Sequence, residues 1–299
     1  MAAAMSRGDD LPGTPDTPGT PGTPGTPGPL GLQGLSEEDA RRLLGWAAGA
    51  RRVTVLTGAG MSAESGVPTF RARRTGLWAR YDPLTLATPQ AWAADPELVW
   101  AWYVWRIGLV RRADPNAGHG ALARWAGAAA PDTQVRIVTQ NVDDLHERAG
   151  SAVLAHLHGT LLALRCSRCE KPYDGWSALE DIGWSAEPVE RLAPPTCSCG
   201  GLVRPGVVWF GEALPQDAFD AALDATLDAD LVLVVGTSGL VRPAATLPEI
   251  ARGHGIPVVE LNPEPTELSR GADLTWRSSA AVGLPALVER IRRSIEHLG

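Results

Sequence analysis

One stretch narrows the possible folds more than any other: Val53-Thr54-Val55-Leu56-Thr57 runs without a break into Gly58-Ala59-Gly60-Met61-Ser62-Ala63. Five short, mostly β-branched apolar residues stopped by glycine read as a buried strand. The loop that follows matches the G-x-G-x-x-G/A pattern in its alanine-ending form. Glycines there let backbone N–H groups come close to a pyrophosphate, and the N-terminus of a following helix favours its charge. A tight strand-to-helix turn with no ligand would look similar, so the continuation matters. Glu64-Ser65-Gly66-Val67-Pro68 cannot extend a long helix, because Gly66 and Pro68 break it. A hydride-transferring enzyme needs a second strand ending in Asp or Glu about 20 residues on, and none is legible.

Further apolar strands are expected at Val135–Thr139, Val153–Leu157, Leu231–Val235 and Ile256–Leu261, with helical stretches between several of them. Ser36 followed by Asp39 reads as a helix cap with an acidic third residue, opening a helix to about Gly49. Another helix is expected from about Leu284 to His297. This alternation predicts an α/β fold with a Rossmann-like, mostly parallel sheet over about 35–71, 131–161 and 205–299. Residues 72–130, rich in Trp and Ala, and 162–204, which carry the cysteines, break the alternation. They are expected to form a smaller helical and zinc-binding lobe. Residues 1–34 hold repeated Thr-Pro-Gly units, whose prolines and glycines stop helix and sheet alike, so a disordered spacer is expected there.

Composition excludes some functions. The 299 residues carry 27 basic and 34 acidic side chains, a net charge of -7 that argues against a protein held by nucleic-acid phosphates. No apolar run approaches the roughly 20 residues of a membrane-spanning helix, and no secretory leader pattern opens the chain. A cytoplasmic protein is expected. Cys166-Ser-Arg-Cys169 and Cys197-Ser-Cys199 supply four thiolates, enough to close a tetrahedral structural zinc site. The second pair is tighter than usual, and buried thiols or a redox pair are the competing reading.

Read in order, the motifs resemble the sirtuin family. They are Gly58–Ser62 with Gly66-Val67-Pro68-Thr69-Phe70-Arg71, then Thr139-Gln140-Asn141-Val142-Asp143 and His158-Gly159-Thr160. The cysteine pairs follow, then Val208-Trp209-Phe210-Gly211-Glu212, Gly236-Thr237-Ser238 with Val241-Arg242-Pro243, and Leu261-Asn262. The resemblance implies NAD and an acylated protein lysine meeting in a cleft between two lobes. It implies that Gly58, Ala59, Gly60 and Ser62 line the cofactor's phosphates, and that Phe70 and Arg71 cover the nicotinamide ribose. Gln140 and Asn141 would hold that ribose, and Asp143 the nicotinamide amide. Gly236, Thr237, Ser238, Asn262 and Ala280 would contact the adenosine half. Val208, Phe210, Gly211, Glu212 and Val241 would grip the substrate backbone as an added strand.

His158, with Asn141, is the implied catalytic residue. The acyl oxygen attacks the ribose carbon, nicotinamide leaves, and His158 takes a ribose hydroxyl proton, giving free lysine and O-acyl-ADP-ribose. Histidine's ordinary pKa suits that proton transfer. His146 is expected to pack locally, and His156 to alternate with His158 on one strand face. Tyr103 and Arg106, three apart, share a helix face and could hold a carboxylate. With Ala87 and Thr69, they resemble the subgroup that removes succinyl, malonyl or glutaryl groups. Trp209, where the family often has Phe, is expected to matter little. A deacetylase without acidic preference, a protein mono-ADP-ribosyltransferase and an NAD-sensing module are the alternatives.

Overall fold

The computed structural model describes residues 31–68, 81–175 and 189–296. Thr69, Phe70 and Arg71 lie outside the described residues. Helix α1 (Glu37–Gly49) opens on Ser36, whose Oγ accepts the Asp39 N–H and satisfies an orphan donor of the first turn. The packed chain starts earlier than expected. Leu32 belongs to the core, and the Gln33 carbonyl accepts the Trp276 indole N–H at 2.7 Å, so residues 31–34 are fold rather than tail.

The strands are β1 (Arg52–Thr57), β2 (Gln134–Thr139), β3 (Val153–His156), β4 (Gly159–Cys166), β5 (Val203–Val207), β6 (Leu231–Val235), β7 (Val258–Leu261) and β8 (Leu274–Trp276). Six of them make one parallel sheet in the order β3-β2-β1-β6-β7-β8. The period-2 alternation of β1 sends its side chains to two different cores. Val53 and Val55 join Leu43 of α1, Leu122 and Trp125 of α5 (Ala117–Ala128), and Leu284, Leu287 and Ile291 of the last helix, Ala280–Glu296. Leu56 faces the other way, onto Ala222 of Gln216–Leu227 and Leu247 and Ala251 of Leu247–Gly253. Thr54 shares that second face and donates its hydroxyl proton to the Ala225 carbonyl at 2.7 Å.

The smaller lobe joins α2 (Pro83–Leu86), α3 (Pro89–Ala94) and α4 (Pro96–Arg112) to the antiparallel pair β4–β5. Val99, Trp100, Tyr103 and Ile107 of α4 pack with Leu161, Leu164, Val203 and Trp209 in a core of their own. The expected boundary of this lobe needs correction. Helix α5 lies on the large sheet, and a Cβ on its Gly118 would stand 2.7 Å from the Ala280 carbonyl oxygen. Small residues let α5 and the last helix approach closely, so the lobe ends before residue 117. Among the described residues no helix is long and apolar enough to cross a membrane.

Candidate active site

Strands β1, β2 and β6 end level, with Thr57 opposite both Thr139 and Val235. Strand order reverses between β1 and β6, the place where open parallel sheets leave a ligand crevice. Two glycine loops meet there. The Gly58 N–H donates to the Val235 carbonyl at 2.9 Å, and the Gly60 N–H to the Gly236 carbonyl at 2.7 Å. A Cβ on Gly60 would stand 2.7 Å from the Gly236 Cα, and one on Gly236 2.5 Å from the Gly60 carbonyl carbon. Gly236 also holds a left-handed φ of 62°. These glycines therefore serve loop-to-loop contact as much as ligand approach. As Gly66 and Pro68 led one to expect, no long helix follows the fingerprint: the segment folds as two 3₁₀ turns, Ala59–Met61 and Ala63–Ser65, closed by Gly66 at φ 83°, so no long helix dipole stands behind it.

The loop after β2 closes the other side. Asn141 Nδ2 donates to Ser62 Oγ at 3.1 Å, and Ser62 Oγ donates to the Asp143 carboxylate at 2.9 Å. All three are buried. Burial raises the Asp143 pKa, against the Leu145 and Ser62 donors that favour its charge. Gln140 Nε2 donates to Thr237 Oγ1 at 3.2 Å, and Asn262 Nδ2 to the Thr237 carbonyl at 3.0 Å. Ser238 lines a cavity of about 340 Å³ with Thr266, Glu267 and Arg270. Ala280 sits beside this crevice, because the Glu64 carboxylate accepts both the Ser279 hydroxyl and the Ala281 N–H. The crevice thus offers amide and hydroxyl groups to sugar and phosphate, and a buried carboxyl to an amide. That chemistry fits NAD.

His158 stands just past the end of β3, on a turn rather than on the expected strand. Its Nδ1 lies 3.0 Å from the Gln140 carbonyl. A carbonyl only accepts, so Nδ1 carries the proton and Nε2 keeps its lone pair. Burial lowers the His158 pKa, with the Gln140 carbonyl opposing, which keeps the ring neutral near pH 7, its Nε2 lone pair free to take a proton. His156 is built otherwise. Burial works against its charge, but the Glu147 carboxylate 2.7 Å from Nε2 prevails and raises its pKa. His146 is buried against Thr57 Oγ1 at 3.1 Å, and its ring meets that of His119 at 4.9 Å between centroids. Burial pushes His146 down to about 3 and His119 to about 4.

Helix α4 brings Tyr103 and Arg106 to one face, with the guanidinium carbon 5.9 Å from the Tyr103 ring centroid and 4.9 Å from that of Trp102. Burial lifts Tyr103 to about 12, so its phenol stays protonated. Burial lowers the Arg106 pKa, and nearby Asp143 works against that shift, which ties this face to the cofactor crevice. The segment after β5 is held rigidly. The Val208 N–H donates to the His158 carbonyl and the Phe210 N–H to the Ala87 carbonyl, each at 2.9 Å. Glu212 accepts the Trp209 N–H and two parallel hydrogen bonds from the Arg204 guanidinium. Gly211 turns at φ 90°, and the Val241 carbonyl is taken by Ala245. Trp209 is the residue that sequence reasoning undervalued. Its indole N–H donates to the Tyr103 hydroxyl at 2.8 Å, which Phe could not do. Nothing local in the sequence signals a bond across 106 positions.

The four cysteine sulfurs all lie within 4.8 Å of one another. Cys166 and Cys199 are 3.5 Å apart, Cys169 and Cys197 3.8 Å. Those lengths match the edge of about 3.8 Å in a tetrahedron with metal–sulfur bonds near 2.3 Å, and exclude disulfides. Tight turns close the short second pair: the Cys197 N–H donates to the Gly201 carbonyl and the Gly200 N–H to the Cys197 carbonyl. A Cβ on Gly201 would stand 2.7 Å from Cys166 Sγ. The set fits a structural zinc.

Comparison with known proteins agrees with this geometry. The Sir2 family profile matches residues 58–243. An NAD-dependent protein deacylase 2 from Corynebacterium efficiens is 52% identical over 258 residues, 86% of this chain and 99% of that one. A crystal structure of a Sir2 homolog–NAD complex superposes with a TM-score of 0.76 at 43% identity, covering 85% of this chain and 94% of that chain. A substituted Sir2 homologue in complex with 2′-O-acetyl ADP ribose gives 0.76 at 42% identity, covering 87% and 98%.

Proposed function

The chain belongs to the Sir2 (sirtuin) family, and on that premise we propose that it removes acyl groups from protein lysines with NAD, preferring acyl groups that end in a carboxylate. NAD supplies the acyl acceptor and one water is consumed, so that nicotinamide, free lysine and O-acyl-ADP-ribose are the products. Gly58, Ala59, Gly60 and Ser62 would hold the phosphates, and Gly236, Thr237, Ser238, Asn262 and Ala280 the adenosine half. Phe70, Arg71, Gln140 and Asn141 would enclose the nicotinamide ribose, with Asp143 on the amide. His158 takes the ribose hydroxyl proton at Nε2, the atom its Gln140 bond leaves unprotonated. Val208, Phe210, Gly211, Glu212 and Val241 would grip the peptide backbone. We assign the enzyme to the cytoplasm, where the four thiols stay reduced for zinc.

The observation that carries the acyl preference is the pairing of a protonated phenol, Tyr103, with the Arg106 guanidinium, Ala87 lying in the same buried cluster as Tyr103. One neutral donor and one cation are the complement of a single carboxylate. Its test is a peptide carrying acetyl-lysine or succinyl-lysine, turned over with NAD and weighed by mass spectrometry. We expect faster succinyl removal, lowered about tenfold to a hundredfold by Arg106→Met with acetyl removal much less affected. Faster acetyl removal would leave the deacylase and sink the acidic preference. His158→Ala should abolish turnover yet bind NAD. Transfer of label from NAD onto protein would favour the ribosyltransferase reading instead.

A further inference from the structure

We infer that Trp209 is a specificity-determining residue, whose indole N–H holds the Tyr103 hydroxyl in the orientation that reads an acyl carboxylate. This rests on the acidic-acyl reading above. The donor atom lies 2.8 Å from the phenol oxygen, with Trp209 and Tyr103 only 2% and 1% exposed. An indole N–H can only donate, so the phenol oxygen accepts and its own proton must point elsewhere. A hydroxyl that already accepts a bond is also a better donor in a low-dielectric site. The two rings stack at 6.4 Å between centroids with 29° between planes, and Trp92 backs Trp209 at 5.6 Å.

Trp209 is itself immobilised. The Arg204 guanidinium sits 3.2 Å from its ring centroid, and Glu212 joins Arg204 to the Trp209 backbone N–H. Its neighbours complete the arrangement. Val208 holds the His158 carbonyl and Phe210 the Ala87 carbonyl. Three consecutive residues thus tie together the base, the carboxylate reader and the wall of the acyl pocket. Trp209 acts through Tyr103 and is a positioning residue for recognition.

The test compares wild type, Trp209→Phe, Tyr103→Phe and the double variant. Phe keeps an aromatic ring and removes the N–H. For each protein, kcat/KM is measured on succinyl-lysine and acetyl-lysine peptides, and their ratio is taken on one preparation so that any misfolded fraction cancels. Trp209→Phe should lower the succinyl-to-acetyl ratio about tenfold. In the Tyr103→Phe background it should lower it no further, because the bond is already gone. A wild-type succinyl preference untouched by Trp209→Phe would overturn this inference alone, as would an additive loss in the double variant. A wild-type preference for acetyl-lysine would overturn the acidic-acyl reading and this inference with it.

Discussion

A single carbonyl decides what His158 can do. By accepting the Nδ1 proton, Gln140 leaves Nε2 as the basic atom, and burial keeps the ring neutral. The buried pair His119 and His146 uses the same residue type for stability. Burial holds both far below the ordinary histidine pKa, so the folded state stays deprotonated where the unfolded chain takes up protons. Their contribution is complete above the unfolded pKa near 6.5 and is lost as pH falls toward about 4 for His119 and about 3 for His146. Between pH 7 and pH 5 the loss should be about 2 kcal/mol per ring, or about 4 kcal/mol together. His158 shifts the same way and His156 the opposite way. Guanidinium unfolding at the two pH values measures the difference, and equal stabilities would mean that the rings titrate in the folded state. His158 was recognisable in sequence only as part of a motif. Its tautomer depends on a carbonyl 18 positions away, in a different segment, which no local pattern encodes.

Elements carry a different part of the function. Strands β1, β2 and β6 were legible because buried parallel strands are continuous apolar runs. Strands β4 and β5 were not, since Gly, Pro and Arg interrupt them and their partner is the lobe core. The fingerprint loop was legible as glycine-rich, while its reason is shared with the loop after β6. Gly236→Ala should show this. The new Cβ would stand 2.5 Å from the Gly60 carbonyl carbon and the Met61 nitrogen, in a left-handed conformation costly to alanine. We expect a loss of at least about 2 kcal/mol in stability and a raised KM for NAD. Gly45, which has open space at its Cβ, is the control position and should accept alanine with no loss. Equal behaviour of the two variants would refute the loop-contact argument.

At the scale of the whole molecule, two cores divide the labour. The parallel sheet carries the cofactor crevice, and the lobe of α2–α4 with β4–β5 carries Tyr103 and Arg106, the proposed acyl face. Four thiolates close the far end of β4–β5, where Cys166 is the last residue of β4. Chelating zinc from the holoenzyme should therefore open residues 164–175 and 189–204 to hydrogen exchange and abolish turnover. Exchange in β1, β2 and β6 should stay slow. Uniform loss of protection would mean that one cooperative unit spans both cores. From sequence alone, local chemistry determined a great deal: the period of burial set the parallel sheet, glycine and proline set its loops, and paired cysteines pointed to a metal site. Only the tertiary structure decided that α5 belongs to the sheet, that Gly60 faces Gly236 and that Trp209 holds Tyr103. Those are contacts between distant segments, and steric fit and hydrogen bonding choose them only once the chain has closed.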